Sequence, residues 1–231
     1  MIRTRFPKPL NFLLLLFLAQ FAGPAVQAGT EHDLQLWTPI TLDVPLHSKV
    51  RAYFEVGPRV GEGVSKLNQL LVRPAVEFRV NEHMSFFTGY LWQTTYGEQV
   101  LHEHRTWQQI LLEKDIKRLS LINRSRLEQR MFPHLSCTGN RLRHLVKGNL
   151  RLTKHLYATT SNELFLNLNS VKDGPQRGVD QNRFFVGLGL KAHGNARIEA
   201  GYQYQCVNLA DEFDDQANHA ILIQTFVGLL D

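Results

Sequence analysis

Apolar residues occupy every second position along most of the chain, and this alternation limits the fold more than any other feature of the sequence. Period two is typical of a β-strand with one apolar and one polar face. About eleven segments carry it, each of roughly ten or more residues, the length of a tilted strand that crosses a membrane. The pattern is clearest over 50–60, 70–80, 184–190 and 198–204. No helical pattern competes with it, so we predict an all-β chain.

The connections between these segments alternate in length. Short turns lie at 46–49, 81–83, 115–118, 153–155 and 193–195, and longer connections rich in Gly, Asp, Asn and Ser lie at 61–66, 97–103, 131–140, 170–180 and 208–217. Short turns at one end and long loops at the other are typical of outer-membrane barrels, in which the short turns face the periplasm. We therefore predict an antiparallel, up-and-down transmembrane β-barrel of about 10–12 strands.

The segment over 33–46 does not fit a simple barrel. Bacterial single-chain barrels normally have an even number of strands, and the alternation of the loops assigns the spanning strands to the residues that follow this segment. Three roles stay open for it: an additional edge strand, one strand of a twelve-strand barrel in which another strand is overlooked, or a piece of chain tucked into the lumen.

The first 28 residues predict a cleaved secretory signal peptide. Arg3, Arg5 and Lys8 precede an apolar run of Leu, Phe and Ala, and small residues end at Ala28, where we expect cleavage. The full chain has 26 Lys and Arg against 21 Asp and Glu, and without the three basic leader residues 23 against 21 remain. This balance gives no indication of nucleic-acid binding. Residues 29–231 are expected to form one barrel domain, because no linker divides them.

The polar face of the alternation is rich in arginine and glutamate. Such residues facing one another across strands form the ion-pair networks that fill small aqueous barrels, and glycines on the same face leave room for them. A soluble lipocalin-like barrel has the opposite polarity, with an apolar cavity, and its outer surface would be expected to include more lysine than these strands do. We predict that the lumen is lined by Arg51, Glu55, Arg73, Glu77, Arg79, Arg124, Arg126, Glu128, Arg130, Arg141, Arg143, Arg151, Glu163, Arg183, Arg197 and Glu199.

Six aromatic residues lie toward the ends of the predicted strands. Interfacial girdles of membrane barrels place aromatic side chains there, and ordinary core packing is an equally good explanation. The six are Trp37, Tyr53, Trp92, Tyr96, Trp107 and Tyr157.

Five motifs link the chain to a known family. They are Asp33-Leu34-Gln35-Leu36-Trp37, the arginine-rich segment over 123–130, Asn140-Arg141-Leu142-Arg143, the segment over 182–187 and the segment over 199–205. On these motifs the chain resembles the bacterial domain of unknown function 2490 family over essentially its whole mature length. The resemblance implies an outer-membrane β-barrel and no established reaction. Unlike many barrel proteins, the chain does not end in the aromatic residue that the assembly machinery recognises.

Two cysteines and one histidine cluster are candidates for covalent or metal chemistry. Cys137 and Cys206 fall on the long-loop side, where the oxidising cell envelope permits a disulfide; two separate thiols are the alternative. His102 and His104 share a strand face on either side of Glu103, but zinc needs a third ligand that the spacing does not fix. A solvated loop explains this cluster better, and we predict no metal site and no cofactor.

An enzyme and a transporter are both conceivable on such a barrel. His134 and Ser136 have the His-x-Ser form of some outer-membrane lipid hydrolases, in which the imidazole activates the hydroxyl, but no compelling orienting residue accompanies them. The excess of basic over acidic residues on the lumen face would favour anions in an open pore. Barrels of this size lie between filled eight-stranded forms and open porins, so arginines can also plug the lumen.

The sequence thus predicts an integral outer-membrane barrel of a Gram-negative cell envelope, reached by Sec-type export. A small channel or a structural barrel is the leading function, and no enzymatic reaction is indicated. The alternatives are a surface lipid hydrolase and a soluble periplasmic lipocalin-like carrier. The expected partners are outer-membrane lipid and, during biogenesis, periplasmic chaperones and the barrel-assembly machinery, with no nucleic acid among them.

Overall fold

A computed structural model describes residues 31–133, 135, 137–192, 195–208 and 215–229. In this part of the chain every regular element is a β-strand, and no helix is long and apolar enough to cross a membrane. The predicted signal peptide over 1–28 lies outside the described residues. The strands are β1 (Glu31–Trp37), β2 (Ile40–His47), β3 (Val50–Gly61), β4 (Lys66–Asn81), β5 (Met84–Thr95), β6 (Leu101–Ile116), β7 (Leu119–Met131), β8 (Gly139–Arg151), β9 (Leu156–Asn167), β10 (Gly178–Lys191), β11 (Asn195–Val207) and β12 (Gln216–Gly228).

The strands form one closed sheet, which confirms the predicted barrel. From β2 to β12 each strand pairs antiparallel with the next one along the chain. The connections after β2, β4, β6 and β10 have two or three residues, those after β5, β7, β9 and β11 have five to ten, and those after β3 and β8 have four each. Since consecutive strands run in opposite directions, the barrel has a short-turn end and a long-loop end, as the alternation of turns predicts.

β1 and β2 together act as one split strand that closes the barrel. Both pair in parallel with β12, with Glu31 opposite Gln216 and Ile40 opposite Thr225, so the register is constant across the break. Both also pair antiparallel with β3. At the break, the Thr225 N–H donates to the carbonyl of Pro39 at 2.9 Å. Proline has no N–H to donate, but its carbonyl thus continues the hydrogen bonding between the split strand and β12.

The split strand answers the question raised by segment 33–46 and corrects one prediction. The segment is neither an extra edge strand nor a plug, and the described residues contain no overlooked strand. Its two strands, β1 and β2, together fill one strand position, so the barrel has eleven positions in all. The expectation of a fully antiparallel barrel is wrong at this seam, because an odd number of positions brings two strands of the same direction side by side.

The polarity of the barrel is the reverse of that of a soluble protein. On the outer face Ile40, Leu188 and Ile221 are 56%, 52% and 49% exposed. In the interior Glu128 and Arg141 are only 1% and 2% exposed. Two apolar clusters share the interior with these charges: one contains Leu71, Ala75, Phe87, Leu91 and Trp107, and the other contains Trp37, Phe185, Ala220 and Leu222.

Candidate functional site

Charged side chains from six strands meet inside the barrel and form a layer across its lumen. Each occupies an inward position of the alternation, and the antiparallel register brings the inward positions of neighbouring strands to the same height. We call this set the charged layer: Arg59, Arg73, Arg126, Glu128, Arg141, Arg143, Glu163 and Arg183.

Glu128 is the acidic centre of the charged layer. Its Oε2 accepts hydrogen bonds from Arg141 Nη2 at 2.6 Å and Nε at 3.0 Å, and its Oε1 accepts one from Arg143 Nη1 at 2.7 Å. Arg105 and Arg126 approach the same carboxylate at 4.0 and 3.9 Å. Several positive charges in a small dry volume repel one another, so this carboxylate is what allows the arginines to be buried together.

Glu163 links the next strands into the same network. Its Oε1 accepts hydrogen bonds from Arg124 Nη2 at 2.6 Å and Arg143 Nε at 3.0 Å. The guanidinium groups of Arg143 and Arg183 lie 4.4 and 4.6 Å from the ring centre of Phe165, which is fully buried. Aromatic faces attract cations when both are removed from water, so this ring helps to hold the two charges in place.

A second network lies above the charged layer, toward the long-loop end. Glu103 accepts hydrogen bonds from Arg105 at 2.7 Å and from Arg130 Nε at 2.6 Å. Asp180 accepts one from Arg141 Nη1 at 2.7 Å. Since Arg141 also binds Glu128, it joins this network to the charged layer.

Two smaller networks brace the side of the barrel that faces the short turns. Glu55 accepts hydrogen bonds from Arg73 at 2.8 Å and from the Tyr53 hydroxyl at 2.6 Å. Glu199, which is buried, accepts hydrogen bonds from Lys147 at 2.6 Å and from the Tyr157 hydroxyl at 2.9 Å.

Two cavities flank the charged layer. The short-turn cavity has a volume of about 800 Å³ and extends to rim residues such as Asp43 and Arg197. The long-loop cavity has a volume of about 230 Å³ and is bordered by Gln93, Arg105 and Gln205. Both touch residues of the charged layer, which therefore forms the partition between them.

Comparison with known proteins gives the chain a family. The family model described as "Protein of unknown function (DUF2490)" matches residues 34–217. The chain belongs to the DUF2490 family. An uncharacterized protein of Methylorubrum extorquens is 34% identical to this DUF2490 chain over 200 residues, which cover 84% of the chain and 87% of that protein. No solved structure matches it. The resemblance predicted from the motifs is confirmed.

Most of the residues predicted to line the lumen of this DUF2490 barrel point into it, with differences at the short-turn rim. Arg79 and Arg197 are exposed at the mouth of the short-turn cavity. Arg151 does not line either cavity: it lies exposed at the end of β8 and donates to the carbonyl of Lys117 at 3.4 Å. The alternation of apolar and polar residues shows which face of a strand a residue is on. It does not show at which residue the strand extends beyond the end of the barrel.

Sequence reasoning missed several charged residues of the lumen, including Asp180, which was expected in the loop over 170–180. Glu103 and Arg105 were expected in or beside a loop over 97–103, whereas β6 begins at Leu101 and carries both inward. Their regular spacing with Trp107 and Gln109 was the available signal. Arg59 and Lys147 also face the interior, at an even spacing from the predicted lumen residues Arg51 and Arg143 that was an available signal.

Four of the six aromatic residues considered for interfacial girdles face the interior instead. Trp92 stacks outside on His102, with ring centres 6.0 Å apart, and Tyr96 is exposed. The four inward residues are Trp37, Tyr53, Trp107 and Tyr157.

The histidine cluster is divided between the two faces of β6. His102 Nδ1 lies 3.1 Å from Thr94 Oγ1, and His104 contacts the Tyr90 hydroxyl, while Glu103 points to the lumen. Among the described residues, no group of three or more His, Cys, Asp or Glu side chains is arranged to hold a metal ion. The loop explanation is wrong, because these histidines belong to a strand.

The remaining candidates lie near the long loops. The structure does not join Cys137 to Cys206: the first is exposed before β8 and the second is buried at the end of β11. His134 and Ser136, the weak hydrolase candidate, lie outside the described residues.

Proposed function

We propose that this chain is an integral outer-membrane β-barrel of a Gram-negative bacterium whose lumen is closed by the charged layer. The reversed polarity of the barrel carries the proposal. Val186, Tyr202 and Ile221 are direct partners across β10, β11 and β12, and all three are exposed. Ile221 in turn faces Leu36 across the seam. Single exposed apolar residues are ordinary, but a continuous apolar belt fits contact with lipid.

Aromatic and histidine side chains on the outside of the long-loop end support the same proposal. Tyr90 contacts His104, and the Tyr202 hydroxyl lies 2.6 Å from Nδ1 of His219. Trp92 lies beside Tyr90 on β5 and stacks on His102 of β6. Amphipathic rings favour the boundary between hydrocarbon and headgroups, where they bury an apolar body and keep a polar atom hydrated.

The interior argues against a soluble lipocalin-like carrier. Such a carrier needs an apolar cavity and a polar outer wall. Here the outer wall is apolar, and the interior holds carboxylates and guanidinium groups that are 1–8% exposed. A lipophilic ligand inside this barrel would therefore lie against buried charges, which is unfavourable.

The charged layer favours a closed barrel over an open channel. Arg143 borders both cavities, and its hydrogen bonds to Glu128 on β7 and Glu163 on β9 fix its position between them. Glu128, Arg141 and Phe165 have almost no solvent contact. An open aqueous pore would hydrate these groups.

The proposal includes a route to the membrane. We expect Sec-type export, cleavage after Ala28, escort by periplasmic chaperones and insertion by the barrel-assembly machinery, with outer-membrane lipid as the final partner. The short turns would face the periplasm, as short turns do in bacterial barrels.

Lipid contact can be tested with the three tryptophans of the chain. Outer-membrane fractions should contain a species whose gel migration changes on boiling. In vesicles with bromine-labelled acyl chains, a variant that retains only Trp92 should be quenched, because this side chain faces outward. The matched variant that retains only Trp107, which is 1% exposed inside the barrel, should be much less quenched. Recovery in the soluble fraction, or stronger quenching of Trp107, would contradict the proposal.

A further inference from the structure

The short-turn cavity is lined by hydrogen-bond donors that have no acceptor. Among the described residues, six side chains that line it each contain one buried nitrogen atom without a hydrogen-bond partner, and every one of these atoms is a donor. They are Arg73 Nε, Trp107 Nε1, Arg124 Nε, Arg126 Nη1, Arg183 Nε and Gln203 Nε2. Arg73, Trp107, Arg126 and Gln203 are at least nine-tenths buried. Buried donors are normally paired, so these six unpaired donors favour a ligand that carries a hydrogen-bond acceptor.

Two carboxylates on this wall are already engaged. Glu55 binds Arg73 and Tyr53, and Glu163 binds Arg124 and Arg143. Eleven arginine and lysine residues line this cavity against five aspartate and glutamate residues, so a group from outside the chain that brings electron pairs and negative charge would match the surplus.

Two arginines on this wall are held by amides rather than by close carboxylates. Arg126 donates to Gln109 Oε1 at 2.9 and 2.7 Å, and its nearest carboxylate oxygen, on Glu128, is 3.9 Å away. Arg183 donates to Gln181 at 3.1 Å, and no ion pair joins it to a carboxylate of the described residues. The wall thus carries positive charge as well as donors.

Apolar side chains complete the cavity. Leu71, Phe87 and Trp107 line it on β4, β5 and β6, and Trp37, Phe185 and Leu222 line it on β1, β10 and β12. Its volume of about 800 Å³ falls within the range of small-molecule sites. Such a cavity matches a molecule with an anionic head and an apolar body.

We propose that the short-turn cavity binds an organic anion with a carboxylate head and a compact apolar body, which enters from the short-turn end. The guanidinium groups of Arg126 and Arg183 contact the head, and the aromatic and leucine side chains contact the body. This proposal goes beyond membrane location, because binding can be measured on the folded barrel in a non-ionic detergent.

Calorimetry on the purified full-length barrel tests the proposal. Octanoate and 2-naphthoate are the probes, and they distinguish an acyl chain from an aromatic body; 1-octanol and 2-naphthalenemethanol are the uncharged controls, and detergent without protein is the blank. We expect saturable binding of at least one acid, weaker binding at high salt, and no saturable binding of either alcohol.

Arginine variants locate the site. Arg126→Gln and Arg183→Gln should each weaken binding roughly tenfold, because each removes a charge-assisted hydrogen bond. Arg151→Gln is the matched control: it removes the same charge from an exposed position outside the cavity and should bind like the unmodified protein. Strand-type circular dichroism and heat-modifiable migration identify variants that fold.

Three results would overturn the proposal: no saturable binding of either acid, equal binding of an acid and its alcohol, or an equal loss in Arg151→Gln. None of them bears on whether the barrel fractionates with the outer membrane, so failure of the binding site is distinguishable from failure of the proposed location.

Discussion

Glu128 compensates more buried positive charge than any other single residue in the charged layer. In Glu128→Gln the shape is kept but the negative charge is lost, which leaves Arg141 and Arg143 with one carboxylate partner each, Asp180 and Glu163. We expect the free energy of unfolding to fall by about 3 kcal/mol, since breaking a buried ion network leaves charge uncompensated. Urea unfolding followed by tryptophan fluorescence in detergent measures the loss.

Glu62→Gln provides the control for the Glu128 variant. Glu62 pairs with Lys66 at 2.6 Å, but both side chains are more than half exposed, and exposed ion pairs contribute little. An equally small effect of both substitutions would mean that water screens the interior as it does the surface.

Gly189 makes room for an aromatic ring rather than for an arginine. A Cβ at this position would lie 2.0 Å from Cζ of Tyr157, whose hydroxyl donates to Glu199. Gly189→Ala should therefore displace the ring and lower the free energy of unfolding by about 1–3 kcal/mol.

The control for Gly189 is on β8. In Gly148→Ala the new Cβ meets its nearest neighbour at 3.9 Å, so little or no loss is expected in the same urea assay. The Gly189→Ala loss should shrink in a Tyr157→Val background, because the displaced ring is then absent. An unchanged loss in that background would show that the strain lies elsewhere.

Which residues face the lumen could be predicted, but which of them bind one another could not. Arg141 and Glu128 were both assigned to the inward face from period two alone. Their pairing depends on the register of β7 against β8, which places Arg141 opposite Glu128, and no local pattern encodes that register. The position of Arg151 could not be predicted for the same reason. Whether a residue lies inside the barrel or beyond its end depends on where the neighbouring strands end.

At the level of elements, the seam between the split strand and β12 is directly testable. Leu34 and His219 are register partners, and a parallel ladder brings their Cα atoms within disulfide reach. In a background with Cys137→Ser and Cys206→Ser, the pair Leu34→Cys and His219→Cys should cross-link under mild oxidation. The cross-link should alter gel migration of the boiled protein until it is reduced.

An out-of-register pair controls for nonspecific cross-linking at the seam. Leu34→Cys with Ile223→Cys keeps one cysteine and moves the other four residues along the same strand, beyond disulfide reach. Equal cross-linking of both pairs, or cross-linking of neither, would contradict the parallel register.

The antiparallel strands and their turns could be predicted, and the parallel seam could not. Turn residues and apolar alternation are local, so strands joined by short turns follow from the sequence between them. The partner of β1 comes from the opposite end of the sequence, and period two gives the face of a strand without its neighbour. For this reason the role of segment 33–46 could not be decided from the sequence.

At the scale of the whole molecule, the charged layer predicts a poor conductor. The unmodified barrel should give little current in planar bilayers, because the layer separates the two cavities. The charge-balanced pair Arg143→Ala and Glu163→Ala removes part of the partition and should raise the conductance several-fold.

The matched pair for this experiment is Arg51→Ala with Asp43→Ala. It also removes an ion pair, at 2.8 Å, but at the short-turn side of the lumen, so it should conduct like the unmodified barrel. Large current steps in the unmodified protein would show that the lumen is open.

The reversed polarity of the molecule could be predicted from the arginine and glutamate on one face of the strands. The state of the lumen could not, because side-chain conformations decide whether those groups cross the space or line its wall. The donor-rich short-turn cavity is a property of that packing.

The odd number of barrel positions has a practical consequence for labelling. Glu31 lies at the long-loop end, where its N–H donates to the backbone carbonyl of Asp215, and Leu229 lies at the short-turn end, where its N–H donates to the backbone carbonyl of Asp43. In a bilayer, an epitope fused before Glu31 and another fused after Leu229 would stand on opposite sides. Antibodies against the two epitopes would then show the orientation of a single polypeptide. One epitope would be labelled on intact cells, and the other only after the envelope is opened.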